Sequence, residues 1–322
     1  MPSVSKFISV LKAPTGASDL QLKIRSVNRS PSEASTVTVT GPLSGKSEGE
    51  LAEIIKDAVN ARLTTDGRIY TGIPSFDYQG IPPFDLRARV TDHVVQVWGQ
   101  SQFAIDVLSS PDNMILSVED LPAFITIAKA KKLGPLVGTK LVKNNGTAYT
   151  DDEVQALIEI GSQEMLSVTH GHFIMAAQYL HEERGFNTAG TTLSYTPILE
   201  HDHPVARTPQ TAALAISTGN PTLLNYHLDF ATGELTFPEF TFPMIPFGHP
   251  LDYDNILKLT YVAGTNGIHP LLARETIRVA GYVKLPETIE ELKAGTTTIK
   301  YKKNRDAILE SARVKMEGIL GL

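Results

Sequence analysis

The chain contains no cysteine, and this absence removes several kinds of chemistry at once. Without thiols there can be no disulfide framework, no thiolate metal site and no cysteine nucleophile. The composition fits a reducing compartment. We expect an ordinary apolar core to stabilise the chain, because hydrophobic residues make up 42% of its 322 residues.

Long apolar runs and an excess of positive charge are absent as well. No stretch of about 18 apolar residues occurs, so the sequence predicts no membrane-spanning helix. The first 16 residues, MPSVSKFISVLKAPTG, lack the continuous apolar segment of a signal peptide. The chain has 29 basic and 35 acidic residues and a net charge of −6, the opposite of a typical nucleic-acid-binding domain. We therefore expect a soluble protein that is not a dedicated nucleic-acid binder.

The N-terminal part of the chain has the pattern of a β-rich domain with one main helix. Ser47 and Glu50 have the spacing of a capping box, which predicts that a helix begins there. Short β-branched segments before it predict strands at residues 4–11, 20–27 and 35–40. The sequence thus predicts an α+β accessory domain over residues 1–110.

The rest of this domain is predicted from turn-forming residues. Residues 64–92 are rich in glycine, proline and aromatic side chains, which predicts an ordered loop. Residues 93–108 have the pattern of a hairpin that turns near Gly99 and Gln100. A polar, proline-containing stretch at residues 110–113 predicts the domain boundary.

Residues 114–299 are predicted to form a mainly helical domain with a β insert. Residues 117–120 have the pattern of a helix start, and the lysine- and glycine-rich residues 129–150 that of a mobile surface loop. The clearest helix begins at residues 150–153, where acidic side chains suit the helix dipole, and a second helix is predicted at 172–184. The β pattern runs from about residue 190 to 262.

Two further helices are predicted near the end of the chain. Pro270 stands at the first turn of a helix that continues to about residue 283. Residues 304–320 place apolar side chains on one helix face, and a basic cluster precedes them. Such a face docks either on its own domain or on a partner, and the sequence leaves both alternatives open.

One segment resembles a phosphate-binding loop, but its spacing differs. Residues 41–47, GPLSGKS, lie between a predicted strand and a predicted helix. A phosphate-binding loop has four residues between its first glycine and the Gly-Lys-Ser step, whereas this segment has three. Because the loop amides must surround the phosphates, we interpret the segment as a turn before a capped helix and expect no nucleotide cofactor.

Catalytic chemistry has only one candidate, a set of histidines. Alternate histidines on a strand point to one face and can form half of a metal site, which His227 or Glu200 could complete. No G-x-S-x-G motif is present, and paired carboxylates stand at helix ends. We expect no enzyme activity and no cofactor; the alternative is a metal-dependent enzyme that uses His170, His172, His201 and His203.

An ordered series of segments in the second part of the chain resembles a known family. Its members are MILSVEDLPAFI (114–125), DDEVQALIEIGS (151–162), YHLD (226–229), the Thr232-Gly233 step, LTYVAG (259–264), the proline-led helix (270–280) and the terminal helix. The series resembles head–tail connector (adaptor) proteins of siphophage-type bacteriophages over about residues 114–322. The loop at 129–150 is longer than in small family members, and residues 1–110 have no counterpart in them.

The resemblance implies a structural protein of the virion neck that is assembled in the cytoplasm of the bacterial host. It implies a homo-oligomeric ring, dodecameric to match the portal, which joins the portal protein to the next neck protein or tail terminator. DNA would pass the ring without sequence recognition, and no membrane is involved. A tail or baseplate component is the alternative within the structural class.

The resemblance also implies that the C-terminal segment, residues 300–322, docks on the portal. Its basic start suits an acidic partner surface, and its apolar face requires cover. The residues expected to bind the portal are Tyr301, Lys302, Lys303, Arg305, Leu309, Ala312, Met316, Ile319 and Leu320.

Overall fold

The chain has an α+β fold, with helices and antiparallel sheets in the part that the structure describes. The structure is a computed structural model. It describes residues 4–16, 18–26, 34–65, 86–99, 102–143, 145–168, 178–185, 191–196, 198–201, 205–207, 222–223, 227–236, 256–264, 267–283 and 306–317.

The described elements belong to two compact units. The strands of the first unit are β1 (Val4–Lys12), β2 (Leu20–Ser26), β3 (Ala34–Val39), β4 (Leu86–Thr91), β5 (Val94–Gly99), β6 (Phe103–Ser109) and β7 (Ile115–Glu119). Its helices are α1 (Glu48–Thr65), α2 (Ile127–Leu133), α3 (Asp151–Val168), α4 (Pro270–Val283) and α5 (306–317).

Two antiparallel sheets and α1 enclose the first core. One sheet has the order β4-β5-β1-β7 and the other the order β3-β2-β6. The predicted helix start is confirmed, because Ser47 N donates to Glu50 Oε2 at 2.8 Å and Glu50 N donates to Ser47 Oγ at 3.3 Å. The core side chains include Ile8, Val10, Leu22, Ile24, Leu51, Ile55 and Val97.

Strand β1 has one face toward α1 and the other toward the helices that follow. Ile8 and Val10 belong to the core with α1. On the other face, Ser9 Oγ accepts a hydrogen bond of 3.0 Å from Ala123 N, and Leu11 packs with residues of α2 and α3. Since side chains alternate along a strand, β1 separates α1 from the helical part of the unit.

The hairpin predicted at residues 93–108 is wrong in its pairing. Strand β5 pairs with β1 and β4, whereas β6 pairs with β2 in the other sheet. The tight turn is Asp92-His93 between β4 and β5, where Asp92 has a φ of 54°. The loop predicted at residues 64–92 is wrong over residues 86–91, because these residues form strand β4. Local pattern indicates that a segment is a strand but does not choose its partner.

The predicted boundary at residues 110–113 joins β6 to β7, and β7 pairs with β1. Residues from both sides of this point thus share one sheet, which differs from the expected separation into independent domains. The helix start predicted at 117–120 is also wrong, because Ile115–Glu119 is β7. The resemblance to the opening connector helix consequently falls on a strand.

Helices α3 and α4 pack closely against each other. A Cβ atom at Gly161 of α3 would overlap the carbonyl oxygen of Thr276 and would lie 2.9 Å from Ala280 Cβ. The next residue, Ser162, accepts a hydrogen bond of 3.2 Å from Phe124 N. The starts of α3 and α4 agree with the predictions. None of the helices in the described part of the chain combines the length and apolar character that a bilayer crossing requires.

The second unit is formed by strands from residues 177–265. Strand β15 pairs with β8 along its length, and β10 and β11 share its other edge. The helix predicted at 172–184 is wrong from residue 178 onward, because Gln178–Gly185 is strand β8. Residues 172–177 lie outside the described residues. The strands are β8 (Gln178–Gly185), β9 (Thr191–Thr192), β10 (Ile198–His201), β11 (Val205–Arg207), β12 (Thr222–Leu223), β13 (His227–Leu228), β14 (Glu234–Thr236) and β15 (Ile256–Ala263).

Candidate functional site

The C-terminal helix α5 is the candidate site that the sequence predicts, and it packs on its own unit. Met316 is only 3% exposed and Ala312 is fully buried. Leu309 is half-buried against the same cluster. The apolar side chains that cover α5 come from α3, α4 and the segment before α2, and include Phe124, Met165, Leu166, Leu272 and Val279.

A buried carboxylate on α4 anchors the polar side of α5. Glu275 is 1% exposed, and its Oε1 accepts a hydrogen bond of 2.9 Å from Lys315 Nζ. Arg278, one turn further along α4, forms a second ion pair with the Oε2 atom. A buried charge is costly without partners, and here two cations neutralise it. Breaking this cluster would therefore weaken the attachment of α5.

The structure corrects two of the predicted portal-binding residues. Ala312 and Met316 are covered by the chain's own core, so neither is accessible to a partner; of the two alternatives that the sequence left open, docking on its own domain applies to them. Leu309 is partly accessible. The other predicted residues lie outside the described part of the chain: Tyr301, Lys302, Lys303, Arg305, Ile319 and Leu320.

The predicted histidine site falls largely outside the described residues. His170, His172 and His203 lie there, and for His201 only the backbone is described, opposite Tyr261 in β15. His227 is exposed on β13. Among the described residues, no three histidine, aspartate or glutamate side chains are grouped so that they could hold a metal ion.

The glycine-containing segment at 41–47 ends at the cap of α1. Gly41 and Gly45 have φ values of 118° and 80°, which glycine adopts readily. The Glu50 carboxylate accepts a hydrogen bond from Ser47 N, and this bond lowers the pKa of Glu50. The backbone amide of Ser47, which a bound anion would need at the start of the helix, is therefore already hydrogen-bonded to the chain's own carboxylate.

A buried histidine at the β4–β5 turn was missed by the sequence analysis, which considered other histidines. His93 is 3% exposed, and burial lowers its pKa to about 4. The adjacent Asp92 accepts a hydrogen bond of 2.6 Å from Ile268 N, just before α4. The turn thereby ties the sheet to the start of α4. A polar Asp-His pair between two strand patterns was the available signal.

The segment predicted as a mobile loop at 129–150 contains regular structure. It includes most of α2, a 3-10 turn at Pro135–Val137, and a β-bridge between Val142 and Ala148. Thr139 is buried, and its hydroxyl donates to Ile277 O at 3.0 Å. This segment is therefore held on α4, and its glycines serve turns within it, as at Gly138 with a φ of 81°.

Comparisons with protein families, with curated proteins and with solved structures found no match to this chain.

Proposed function

We propose that this chain is a structural protein of a bacteriophage neck, a ring-forming connector between the portal and the next neck or tail protein. The ring would line the passage for DNA and would have no catalytic role. The main support is the ordered series of segments from residue 151 onward, together with the positions that these segments occupy in the fold.

The observation that carries the proposal is the contact between α3 and α4. The segment that resembles the connector helix, residues 151–162, ends in Gly161 and Ser162, and these two small residues lie where α3 meets α4 and the segment at Phe124. Between α3 and α4 the chain forms a separate β-rich unit, and α5 follows α4. This order of helix, β insert, helix and terminal helix is the one that the resemblance implies.

Charge supports a passage for DNA rather than a site that holds it. The chain has a net charge of −6, and phosphate contacts require lysine and arginine. A ring with an acidic lumen would repel the backbone of passing DNA. Because Ala312 and Met316 are buried, the residues proposed to contact the portal are those at 300–305 and 318–322 and those on the exposed side of α5.

Electron microscopy of the purified full chain and of virions tests this function. We expect closed rings with a central opening and, with an antibody against the chain, label at the junction of head and tail. A chain found at the tail tip or baseplate would contradict the connector function. A monomer that holds one transition metal per chain, lost on replacing His201 and His203 with asparagine, would favour the enzyme alternative.

A further inference from the structure

The connection between α2 and α3 concentrates positive charge in an acidic protein. Residues 127–149 contain no aspartate or glutamate. Subtracting their five lysines from the 29 basic residues leaves 24 basic against 35 acidic residues in the rest of the chain. The five are Lys129, Lys131, Lys132, Lys140 and Lys143.

Two of these lysines are neutralised within the chain. Lys131 pairs with Asp151, and Lys143 Nζ lies 2.9 Å from Glu153 Oε1. Hydrogen bonds from Lys12 and then Lys131 lower the pKa of Asp151, and one from Lys143 lowers that of Glu153. The remaining three are exposed and have no ion-pair partner within the described residues: Lys129, Lys132 and Lys140.

In the sequence, an apolar tip lies between the free lysines Lys132 and Lys140. Leu136 is 72% exposed, although it stands in a short 3-10 turn that begins at Pro135. Thr139 ties this turn to α4 through its hydrogen bond to Ile277 O, and it lies so close to Gly281 that a Cβ atom there would clash with it. Val142, 43% exposed, adds a second apolar side chain. A leucine presented on a hydrogen-bonded turn costs less ordering on binding than one on a free loop, and it offers apolar area to a protein partner.

We propose that this lysine–leucine surface, formed by Lys129, Lys132, Leu136, Lys140 and Val142, docks on an acidic surface of a second copy of the chain. The inference rests on the proposed function, since it names the contact by which the ring forms. The charge balance favours a second copy, because the rest of each copy is acidic. Leu136 and Val142 favour a protein surface over a DNA backbone, which offers phosphates and no apolar pocket.

The charges also determine how two copies meet. A contact between two lysine–leucine surfaces would place lysines against lysines, and such like-charge contacts are unfavourable. Each copy must therefore offer this surface to a different region of its neighbour. Such head-to-tail contacts close into rings when the rotation between copies permits.

Strand β1 separates the exposed lysines of α2 from the exposed carboxylates of α1. Leu11 and α2, with the lysines, lie on one side of the sheet, and α1 lies on the other. The outer face of α1 exposes the carboxylates of Glu53 and Asp57, which Lys56 partly neutralises. Complementary charge on two separate sides is what a head-to-tail assembly requires.

Sedimentation of the full chain tests the surface directly. The combined variant Lys129→Glu, Lys132→Glu and Lys140→Glu should raise the dissociation constant of self-association by about 100-fold, because attraction becomes repulsion. Leu136→Ser should raise it by about 10-fold through loss of the apolar anchor. The matched controls are the three Lys→Arg changes, which keep the charge, and Leu108→Ser, an exposed leucine on β6 outside this surface. Both controls should associate like the unchanged chain.

Mixing experiments test the head-to-tail arrangement. The Lys→Glu variant keeps its acidic surface, so one copy can still accept the lysine–leucine surface of an unchanged chain. Adding it in excess should shorten assemblies and prevent ring closure. If it fails to join unchanged chains, the contact involves the lysine–leucine surface of both copies, and the head-to-tail proposal is wrong.

Other outcomes would overturn the inference without deciding the function. Unchanged association of the Lys→Glu and Leu136→Ser variants would assign ring formation to another surface, and a chain that stays monomeric alone would exclude a second copy. Salt-sensitive binding of a short DNA duplex, lost in the Lys→Glu variant while rings persist, would assign the surface to DNA. The position of the chain in virions is measured separately and decides the proposed function.

Discussion

Two of the helices that pack against α4, namely α3 and α5, are held in different ways. Helix α4 packs so closely against α3 that Gly161 has no space for a methyl group. Against α5 it contributes the buried Glu275, which binds Lys315. The first contact depends on shape and the second on apolar cover and charge. The comparison shows that a domain can hold an interior helix by backbone proximity and a terminal helix by a few side chains.

The largest effect is expected from removing the central charge of the second contact. Glu275→Gln would leave Arg278 and Lys315 without their counter-charge, and should lower the free energy of unfolding by about 4 kcal/mol, as for other broken buried ion pairs. Urea denaturation measures this. Glu310→Gln is the matched control, because Glu310 pairs with Arg313 on the exposed side of α5. An equal loss in both variants would show that burial of Glu275 is unimportant.

The stability that the β4–β5 turn beside α4 contributes should depend on pH. His93 has a folded pKa of about 4, below its ordinary value of 6.5, because it is buried. The unfolded chain therefore binds more protons between these values, so stability is complete above about pH 6.5 and decreases as pH falls toward 4. The decrease should reach roughly 3 kcal/mol. His93→Leu should reduce the slope in this range; an unchanged slope would assign acid sensitivity to other groups.

The shape-dependent contact is tested by adding one methyl group. Gly161→Ala should lower the free energy of unfolding by about 2 kcal/mol, because the backbone of Thr276 must move away. Gly49→Ala is the control: it also lies in a helix, but its Cβ would meet Asp92 O at an ordinary 3.5 Å. That change should be neutral or slightly stabilising. Equal stability of both variants would contradict the close approach of α3 and α4.

The smallest effect is expected from removing the charge of Lys315, which joins α5 to α4. Lys315→Met keeps the apolar stem and removes the charge, and Arg278 still neutralises Glu275. Since Lys315 is 42% exposed, we expect a loss of about 1 kcal/mol. Combined with Glu275→Gln in a double-mutant cycle, the measurement isolates the ion pair from the packing of Met316. A coupling energy of zero would mean that apolar cover alone holds α5.

Prediction from sequence succeeded where the signal is local. The capping box of Ser47 and Glu50 correctly marked the start of α1, and the acidic residues at 151–153 correctly marked the start of α3. Thr150 and Glu153 make the same reciprocal hydrogen bonds at the start of α3, although the prediction there rested on the acidic side chains. Pro270 correctly marked the start of α4. The acidic pattern at residues 117–120 wrongly predicted a helix start. This segment is part of β7, which is a strand because it pairs with β1, far away in the sequence.

The candidate site was predicted less completely than the elements around it. The sequence showed that α5 has an apolar face, but not whether the chain itself or a partner covers that face. Met316 is buried because it packs in one cluster with side chains of α3 and α4, which are distant from it in sequence. The portal contact of the remaining C-terminal residues stays a prediction. The buried Glu275 had no sequence signal, because its partner Lys315 lies 40 residues away.

The sequence by itself determined the absence of thiol chemistry, the acidic charge balance, and the positions where helices begin, because composition and capping involve only neighbouring residues. The tertiary structure decided which strands pair, that residues 178–185 form a strand, and that α5 lies on its own core. It also decided that three lysines stay free around Leu136 while two are neutralised. These outcomes depend on contacts between distant residues, whose energies exceed the local preference of a short segment.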